Sequence, residues 1–515
     1  MLESVERMAK SRFPRIDGLS TLVGVLVFAV VSPASAQSFV AITDIHFNPY
    51  HNLNAQQFET LSQTQAERWG DFFRSLRQPS SAPGQDSNYT LMVSALDAAK
   101  SATPDPEFVL YMGDFMAHNW QASYDKLAAK SIAEDPQSYR DFTTRALKLI
   151  ASEFEFRFPD VPVIATLGND DAFCGDYWIQ NASPFNKVFG RVWFPLLEGS
   201  VNEVDFHESF QQFGAYSAEL PGLNDQRAIV LNSVLWSASY CNEYFKPKNR
   251  GCCSCENLGP IPGRAQFQWL EEELNKAAQQ KKKVWLVMHI PPGLDSYAEA
   301  KAGGQCLTAE MWRPEFTTRY LKLLEGYQSV LQIGMTGHTH MDDFRLTGSP
   351  GGPKLLHKIV PAVSPIFKNR PAFQVYQLNS EWNGIENWQT FELDSQIEGE
   401  ANEKGWSLEY DARSTYGLKE LTSQSIQTLF EGAKTQLHSA PAQAFAKYYG
   451  VGGWTLTESE LPIYLGALLH TTYAEFSRDL YLAKPGIAIQ GQHQALMRRP
   501  SDAQKAGLGT SNSPK

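Results

Sequence analysis

The sequence predicts an α/β fold with a small helical subdomain at its C-terminal end, and two observations lead to this prediction. Between residues 39 and 395, short β-branched apolar runs alternate with helical or loop stretches, which is the pattern of buried strands joined by helices. Beyond about residue 395, apolar residues recur at helical spacing instead. Because a chain of 515 residues exceeds the size at which one core keeps growing, we expect one large domain with a smaller appendage.

Five predicted strands end in polar residues. The strands are predicted at residues 39–42, 108–112, 161–167, 284–288 and 330–336. The polar residues that follow them are Asp44 and His46, then Asp114, Asn169 and His289, and finally His338 and His340. Because open α/β sheets place their sites at the carboxyl ends of strands, we expect these side chains to meet at the rim of one sheet.

Helices are predicted from apolar stripes. A stripe within residues 266–274 predicts a surface helix that leads into a strand. Two later stripes comprise Ile426, Leu429, Phe430, Ala433 and Leu437, and then Leu465, Leu468, Leu469, Thr472 and Phe476 just after Pro462. Proline favours the first turn of a helix, so the second stripe is predicted to begin there. We therefore expect a helical subdomain at residues 396–485 and a frayed tail at residues 486–515.

Composition and charge exclude several classes of protein. Apolar residues make up 43% of the chain and charged residues 20%, which excludes a disordered chain and a multi-span membrane protein. The formal net charge is −11, so there is no basic excess to neutralise the phosphates of a nucleic-acid duplex.

Residues 1–36 have the features of a secretory signal peptide. Four basic residues, Arg7, Lys10, Arg12 and Arg15, precede an apolar run at residues 22–31. Ala34, Ser35 and Ala36 then form a small-residue cleavage site, so we predict cleavage after Ala36. A retained anchor is the alternative, but the run is about half of the roughly 20 residues that span a bilayer. The mature protein is therefore expected in a secreted, periplasmic or other lumenal compartment, without a transmembrane span.

All six cysteines lie in the part of the chain that would be exported. They are Cys174, Cys241, Cys252, Cys253, Cys255 and Cys306. An even number of cysteines in an oxidising compartment predicts disulfides, although the sequence does not give their pairing. The cluster at residues 252–255 is alternatively a thiolate metal site, but it lacks the spaced second pair that such sites use.

The seven polar residues at the strand ends form a ligand set for two metal ions. Carboxylate, amide and imidazole groups hold pairs of divalent cations when one carboxylate bridges both. Asp44 and His46 are separated by one residue, as are His338 and His340. On an extended segment, both side chains of such a pair leave the same face and bind one ion. Each piece alone is a weak signal, but five pieces in order at strand ends predict a two-metal site.

The order of these pieces resembles the signature of the calcineurin-like metallophosphoesterases: D-x-H, G-D-x-x-x-H, G-N-H-[DE], H and G-H-x-H. The matching positions are residues 44–46, 113–118, 168–171, 289 and 337–340. Residues 113–118, residues 289–293, and residues 364–367 leading to 371–373 are further similar to the acid sphingomyelinase-like phosphodiesterase branch, which includes the vacuolar-type endopolyphosphatases. The resemblance implies a four-layer α/β/β/α sandwich at residues 37–395, with a small helical C-terminal subdomain.

The resemblance also implies how the metals are shared. One ion would be bound by Asp44, His46, Asp114 and His340, and the other by Asp114, Asn169, His289 and His338. Asp114 would then be the bridge, and a water held by both ions would attack phosphorus in line. Zn²⁺ is the first choice for the pair, with Fe or Mn²⁺ as alternatives, because imidazole-rich sites suit all three. The implied activity is that of a metal-dependent phosphoric ester hydrolase.

One position departs from the family pattern. Where the family usually has histidine after the amide ligand, this chain has Asp170. We expect Asp170 to be ionised beside two dications, and an ionised carboxylate cannot protonate a leaving group. His118, four residues after Asp114, is then the candidate general acid. Its alternative role is to orient a metal ligand.

Together these features predict an exported phosphoesterase that hydrolyses phosphodiesters or phosphoanhydrides. The expected substrates are a phosphorylated small molecule, a lipid headgroup or polyphosphate. A phosphate leaves a phosphoanhydride without help from an acid, so Asp170 favours polyphosphate-like or nucleotide-like substrates. Lys368 and Arg370 are candidates for receiving a polyanion, or are ordinary surface charges. The alternative function is a metal- or phospholigand-binding protein of the same fold that has lost turnover.

Overall fold

A computed structural model describes residues 37–180, 182–197, 199–241, 261–304, 310–379, 384–394 and 405–483. The predicted signal peptide at residues 1–36 and the predicted tail at residues 486–515 lie outside these residues, as do Cys252, Cys253, Cys255 and Cys306. Cys174 and Cys241 are described, and both are disulfide-bonded. None of the described helices is both long enough and apolar enough to cross a bilayer.

The strands form two sheets. They are β1 Ser38–Ile42, β2 Val109–Tyr111, β3 Val163–Ala165, β4 Tyr216–Glu219, β5 Gln226–Leu231, β6 Lys283–Met288, β7 Leu331–Thr336, β8 Asp343–Thr347, β9 Leu355–Ile359, β10 Ala372–Asn379, β11 Gly384–Leu393 and β12 Trp406–Asp411. The first sheet has the order β12-β11-β10-β1-β2-β3, and the second has the order β4-β5-β6-β7-β9-β8. In the first sheet β1, β2 and β3 are parallel, and in the second β5, β6, β7 and β9 are parallel.

The helices surround the two sheets. They are α1 Ala55–Gln63, α2 Trp69–Leu76, α3 Tyr89–Ala102, α4 Trp120–Leu127, α5 Pro136–Arg157, α6 Pro184–Trp193, α7 Glu203–Phe213, α8 Ile261–Gln279, α9 Ser296–Lys301, α10 Pro314–Gly326, α11 Ala412–Tyr416, α12 Ser423–Thr435, α13 Ala440–Tyr448, α14 Leu461–Leu469 and α15 Tyr473–Ala483. Short 3₁₀ turns lie at Ala66–Arg68, Phe194–Leu197 and Ser233–Trp236. The longest of the described helices, α5, begins at an Asp135 cap whose side chain accepts from the Ser138 amide, with Pro136 in its first turn.

The two sheets pack face to face through aromatic side chains. The ring of Phe39 in β1 lies 5.4 Å from that of Trp285 in β6, and Phe344 in β8 lies 5.7 Å from Trp388 in β11. Helices cover both outer faces, with α3 against the first sheet and α8 and α12 against the second. The fold is therefore the α/β/β/α sandwich that the resemblance implied.

The structure confirms the five predicted strands and the predicted helix before β6. It corrects the C-terminal segment in two places. Strand β12 follows residue 395 and pairs with β11, so the first sheet extends into the region predicted to be helical. The stripe from Leu465 to Phe476 is two helices, because the chain is extended at His470 and the Thr472 hydroxyl accepts from the Glu475 amide to start α15. Thr472 and Glu475 have capping-box spacing, which the sequence already contained.

Candidate metal centre

All seven predicted ligands converge, but from two sheets rather than one. In the first sheet, Asp44 and His46 follow β1, Asp114 follows β2 and Asn169 follows β3. In the second sheet, His289 follows β6, and His338 and His340 follow β7. The expectation that they meet at the rim of one sheet is therefore wrong. The carboxyl ends of the parallel strands of both sheets face the same cleft.

The paired ligands do not stand on extended backbone. Asp44 and His46 have φ values of 49° and 45°, and His338 and His340 have values of 74° and 64°. Each of these residues is left-handed, a conformation that costs side-chain-bearing residues energy and that clusters at functional sites. The expected same-face geometry of an extended segment is thus incorrect. The ligands converge because the chain turns sharply as it leaves each strand.

Glycines make room for the carboxylate ligands. A Cβ atom on Gly168 would lie 2.1 Å from Asp114 Oδ1, and one on Gly337 would lie 2.7 Å from Asp44 Oδ2. Any larger residue at either position would displace a ligand. Gly168 and Gly337 are therefore required for close approach of the strand ends.

Asp114 lies between the two halves of the centre. Its Oδ1 atom accepts a hydrogen bond from the Asp170 amide at 2.9 Å. Its Oδ2 atom lies 3.4 Å from His46 Nε2 and 3.0 Å from His289 Nε2. A single carboxylate oxygen is thus shared by imidazoles that come from different sheets.

Asp44 is oriented in a similar way. Its Oδ2 atom accepts hydrogen bonds from the Thr43 hydroxyl and from the His338 amide. Its Oδ1 atom is buried, has no hydrogen-bond partner among the described residues, and lies 3.3 Å from His340 Nε2. A buried carboxylate oxygen without a donor requires a cation or a water beside it.

The imidazoles of His46 and His289 are fixed by backbone carbonyls. His46 Nδ1 lies 2.9 Å from the Met116 carbonyl, and His289 Nδ1 lies 2.6 Å from the Met112 carbonyl. Because a carbonyl only accepts, each Nδ1 carries a proton, and Nε2 is the ring nitrogen that faces the centre. This is the tautomer that metal-binding histidines use.

The remaining nitrogen and oxygen donors point at the same space. His338 Nδ1 lies 3.2 Å from His289 Nε2, and His340 Nε2 lies 3.1 Å from His46 Nε2. Asn169 Oδ1 lies 3.1 Å from His289 Nε2, while its amide nitrogen donates to Asp176 at 2.9 Å. The side chain of Asn169 is therefore turned so that its oxygen faces the imidazoles.

The electrostatics of the centre favour positive charge. Burial is the largest single influence and lowers the pKa of His46, but the charges of Asp114, Asp86 and Asp44 and the hydrogen bond to Asp44 together outweigh it and raise the pKa to about 10. Burial also lowers the pKa of His289, but the charges of Asp114 and Asp44 and the hydrogen bonds to Asp114 and the Met112 carbonyl together raise it to about 9. Burial instead lowers the pKa values of His338 and His340 to about 4 and about 3. Neutral imidazoles beside carboxylates that attract positive charge suit the binding of cations.

The donor set and its spacing fit two metal ions. Two groups, one of Asp44, His46 and Asp114 and one of Asp114, His289 and His338, place donor atoms within 4.8 Å of one another. Donor atoms bound to one tetrahedral ion at about 2.1 Å lie about 3.4 Å apart, which is the range of the separations above. The groups have Asp114 in common, as a bridged pair of ions requires.

His118 lies at the edge of the centre. Its Nδ1 atom is 2.9 Å from Asp86 Oδ1, and its ring stacks on His46 with centroids 4.1 Å apart. A ring nitrogen of His118 also lies within 4.8 Å of those of His46 and His340. Its side chain is 28% exposed, whereas His46 is fully buried. Sequence reasoning missed Asp86, for which no motif gave a signal.

Asp171, the second acidic residue after Asn169, binds backbone amides of the metal centre. Asp171 accepts hydrogen bonds from the amides of Gly168, Asp114 and Phe115 at 2.8 to 2.9 Å. Asp171 therefore holds the loop that carries Asp114, a role that its place at the end of the G-N-H-[DE] motif signalled.

Asp170 contrasts with the expectation that it is ionised. Burial, and then the charges of Asp176 and Asp114, raise its pKa well above the ordinary value. The protein's own groups thus favour the neutral acid, while two bound dications would favour the anion. Its Oδ2 atom lies 4.0 Å from His118 Nε2.

The loop after Ser364 brings one aromatic ring to the centre. Phe367 is 51% exposed, and its ring centroid lies 4.7 Å from that of His340 and 6.0 Å from that of His118. Arg370, a predicted polyanion contact, is paired with Glu392 at 2.7 Å and Asp394 at 3.4 Å. The charge of Arg370 is therefore used within the fold, which removes one of the two cations expected to receive a polyanion.

Known proteins resemble this chain over most of its length. The family described as the acid sphingomyelin phosphodiesterase C-terminal region matches residues 356–451. Acid sphingomyelinase-like phosphodiesterase 3b of Homo sapiens is 26% identical over 418 residues, which cover 77% of this chain and 80% of that protein. Cyclic GMP-AMP phosphodiesterase SMPDL3A of Rattus norvegicus is 26% identical over 439 residues, which cover 81% of this chain and 84% of that protein.

Sphingomyelinase phosphodiesterase D of Dictyostelium discoideum is 24% identical over 420 residues, which cover 77% of this chain and 84% of that protein. Among solved structures, a dimetal phosphatase from Danio rerio aligns at 14% identity with a TM-score of 0.36, over 69% of this chain and 95% of that one. The chain is homologous to the acid sphingomyelinase-like phosphodiesterases, as the sequence motifs predicted.

Proposed function

We propose that this chain is an exported two-metal phosphoesterase that hydrolyses phosphodiesters. The observation that carries the proposal is the Oδ2 atom of Asp114, 3.4 Å from His46 Nε2 and 3.0 Å from His289 Nε2. One carboxylate oxygen between two sets of imidazole donors suits a ligand that bridges two ions. The names of the relatives support a phosphodiester as the substrate class.

The proposed ligand sets are those that the motifs implied. They are Asp44, His46, Asp114 and His340 for one ion, and Asp114, Asn169, His289 and His338 for the other. Two bound divalent cations, Zn²⁺ first and Fe or Mn²⁺ as alternatives, would acidify a water and neutralise charge on the phosphoryl oxygens. The hydrogen bonds that fix the Nδ1 atoms of His46 and His289 support this assignment, because they turn the Nε2 atom of each ring towards the proposed metal site.

We propose His118 as the general acid, oriented by Asp86. Donation from His118 Nδ1 to Asp86 Oδ1 leaves Nε2 to carry the proton towards a leaving group. The partial exposure of the ring favours this role, because a leaving group must reach it. Its contact with His46 is a ring stack rather than a hydrogen bond, so it does little to orient that ligand.

Phosphodiesters with an organic group are favoured over polyphosphate. Asp170 led us to expect polyphosphate-like or nucleotide-like substrates, but a chain of phosphates needs free cations beside the metals. Arg370 is engaged by Glu392 and Asp394, so it does not supply one. The exposed ring of Phe367 instead suits the apolar or planar part of a lipid headgroup or nucleotide.

The export and domain boundaries are also proposals. We propose cleavage after Ala36, a catalytic domain from residue 37 to about residue 395, and a C-terminal subdomain that reaches about residue 485. Pairing of β12 with β11 argues for counting residues 406–411 with the catalytic sheet. N-terminal sequencing of the protein from the medium or periplasm tests the cleavage site, and an N-terminus that retains residues 1–36 would contradict it.

Hydrolysis of bis-(p-nitrophenyl) phosphate tests the activity. With added Mn²⁺ or Zn²⁺ we expect turnover by the wild type and none above background by Asp114→Ala. Equal rates for the two proteins would favour the alternative of a metal- or phospholigand-binding protein. The rates of hydrolysis of sphingomyelin, a cyclic dinucleotide and polyphosphate, measured under the same conditions, then rank these substrates by preference. Polyphosphate as the best of the three would refute the preference for organic diesters.

A further inference from the structure

A buried aspartate two residues after His340 collects side-chain hydrogen bonds from four strands. Asp342 is 3% exposed. Its Oδ1 atom accepts from Lys358 Nζ at 2.7 Å, and its Oδ2 atom accepts from Gln374 Nε2 at 2.9 Å, Thr390 Oγ1 at 2.8 Å and the Tyr410 hydroxyl at 2.9 Å. We refer to Asp342 and these four residues as the Asp342 hub.

The hub joins the two sheets. Lys358 lies in β9 of the second sheet, whereas Gln374, Thr390 and Tyr410 lie in β10, β11 and β12 of the first. All four donors fall within residues 356–451, the segment that matches the C-terminal region of the acid sphingomyelin phosphodiesterases. The backbone amide of Asp342 also donates to the Tyr449 carbonyl at 3.0 Å, within the same segment. That segment therefore holds Asp342 in place, two residues after His340.

The hub is buried and charged, so its geometry is tightly constrained. Lys358 is 1% exposed, and its ammonium also donates to the Asp343 carbonyl at 3.2 Å. The ring of Phe344 lies 4.9 Å from the same ammonium. Removing one partner of a buried ion pair leaves an uncompensated charge, so the positions of Asp342 and Lys358 depend on each other.

His340 needs this support more than the other imidazoles do. His46 and His289 donate from Nδ1 to backbone carbonyls, which fixes their rings directly. The Nδ1 atom of His340 has no hydrogen-bond partner among the described residues, and its backbone is left-handed at φ 64°. The direction of the His340 ring is therefore set by the backbone of its turn together with ring contacts to His46 and Phe367, and the hub anchors that backbone two residues later.

We propose that Asp342 is a positioning residue for His340, and that the C-terminal segment sets the metal affinity of the His340 half of the centre through the Asp342 hub. The inference rests on the proposed function only in taking Asp44, His46, Asp114 and His340 as ligands of one cation.

The test is calorimetric titration of the metal-free full-length protein with Mn²⁺, at a temperature well below unfolding. We expect Asp342→Asn to weaken one of two Mn²⁺ sites by about 10- to 100-fold, with the other site unchanged. We expect Tyr410→Phe, which removes one hydroxyl and keeps the ring, to weaken the same site by about 3- to 10-fold. Excess Mn²⁺ should restore hydrolysis of bis-(p-nitrophenyl) phosphate by both variants.

Tyr448→Phe is the matched control. Its ring stacks on Tyr410 at 4.5 Å, but its hydroxyl accepts from Lys447 outside the hub, so we expect wild-type affinities. Near-UV circular dichroism reports whether each variant is folded, and Tyr410→Phe carries the test if Asp342→Asn does not fold. Unchanged Mn²⁺ affinities in folded Tyr410→Phe, or equal weakening of both sites, would overturn the inference. Metal binding without hydrolysis by the wild type would refute the proposed function alone.

Discussion

Two turns of the metal centre place a ligand ahead of an anchoring aspartate, yet they are held in opposite ways. In the Asn169 turn (residues 168–171), Asp171 accepts only from backbone amides, including those of Gly168 and Asp114. In the His340 turn (residues 337–343), Asp342 accepts from the side chains of Lys358, Gln374, Thr390 and Tyr410. Backbone donors survive any substitution at their own positions except one to proline, whereas side-chain donors do not. Distant substitutions can therefore adjust the His340 turn but not the Asn169 turn.

Substitution of Asp114, which contacts ligands on both sides of the centre, should cause the largest loss of activity. Asp114 accepts from the amide of Asp170 in the first turn, and its other oxygen faces His46 and His289. We expect Asp114→Asn to lower kcat/KM for bis-(p-nitrophenyl) phosphate by about 10⁴-fold, since several kcal/mol of charge stabilisation depend on the bridged ions. Steady-state kinetics at saturating Mn²⁺ measure this loss. A loss below about tenfold would mean that Asp114 does not bridge the ions.

Removing the anchor of the Asn169 turn should cost the most stability. Asp171→Ala leaves buried amides without an acceptor, each worth about 1 to 3 kcal/mol, so we expect the free energy of unfolding to fall by about 4 kcal/mol. Urea denaturation of the metal-free protein measures it. Asp171→Asn keeps one carbonyl oxygen and should lose less. Equal losses for the two variants would show that the amides are not what Asp171 satisfies.

The next comparison tests whether the general acid is His118, which lies outside the Asn169 turn, or Asp170, which lies within it. We expect His118→Ala to slow hydrolysis of a diester with an alkyl leaving group by about 100-fold, because an alkoxide needs a proton to leave. The rate with p-nitrophenolate, a stable leaving group, should change by less than about tenfold. Asp170→Asn is the comparison within the turn. A larger effect of Asp170→Asn on the alkyl diester would transfer the acid role to the Asn169 turn.

The smallest expected effect removes one donor from the His340 turn. Thr390→Val deletes the hydroxyl that donates to Asp342, so we expect a loss of about 1 kcal/mol in the free energy of unfolding. Thr143→Val is the matched control for stability, because it removes a buried hydroxyl in α5 that bonds the Tyr139 carbonyl and the Trp120 indole and no residue of the hub. Only Thr390→Val should also weaken Mn²⁺ binding. Weakening by both variants would mean that stability alone controls metal affinity.

Much of the site could be predicted because its ligands are local to strand ends. Each motif, from Asp44 and His46 to His338 and His340, lies within a few residues of a β-branched run, and parallel strands bring such ends together. The C-terminal segment was harder to predict. Strand β12 has the charged, half-exposed character of an edge strand, so it lacked the apolar run that marked the buried strands.

The sequence by itself determined the chemistry, since ligand types, their order and the glycines beside them are properties of short segments. Only the tertiary structure decided which sheet supplies each ligand, and that left-handed turns rather than extended segments aim them. The tertiary structure alone brings Asp86 to His118, which is 32 residues away in the sequence. It also brings the hub donors to Asp342, from which Tyr410 is 68 residues away. The physical reason is that these hydrogen bonds depend on strand register and on how the two sheets face each other, which no local pattern of residues encodes.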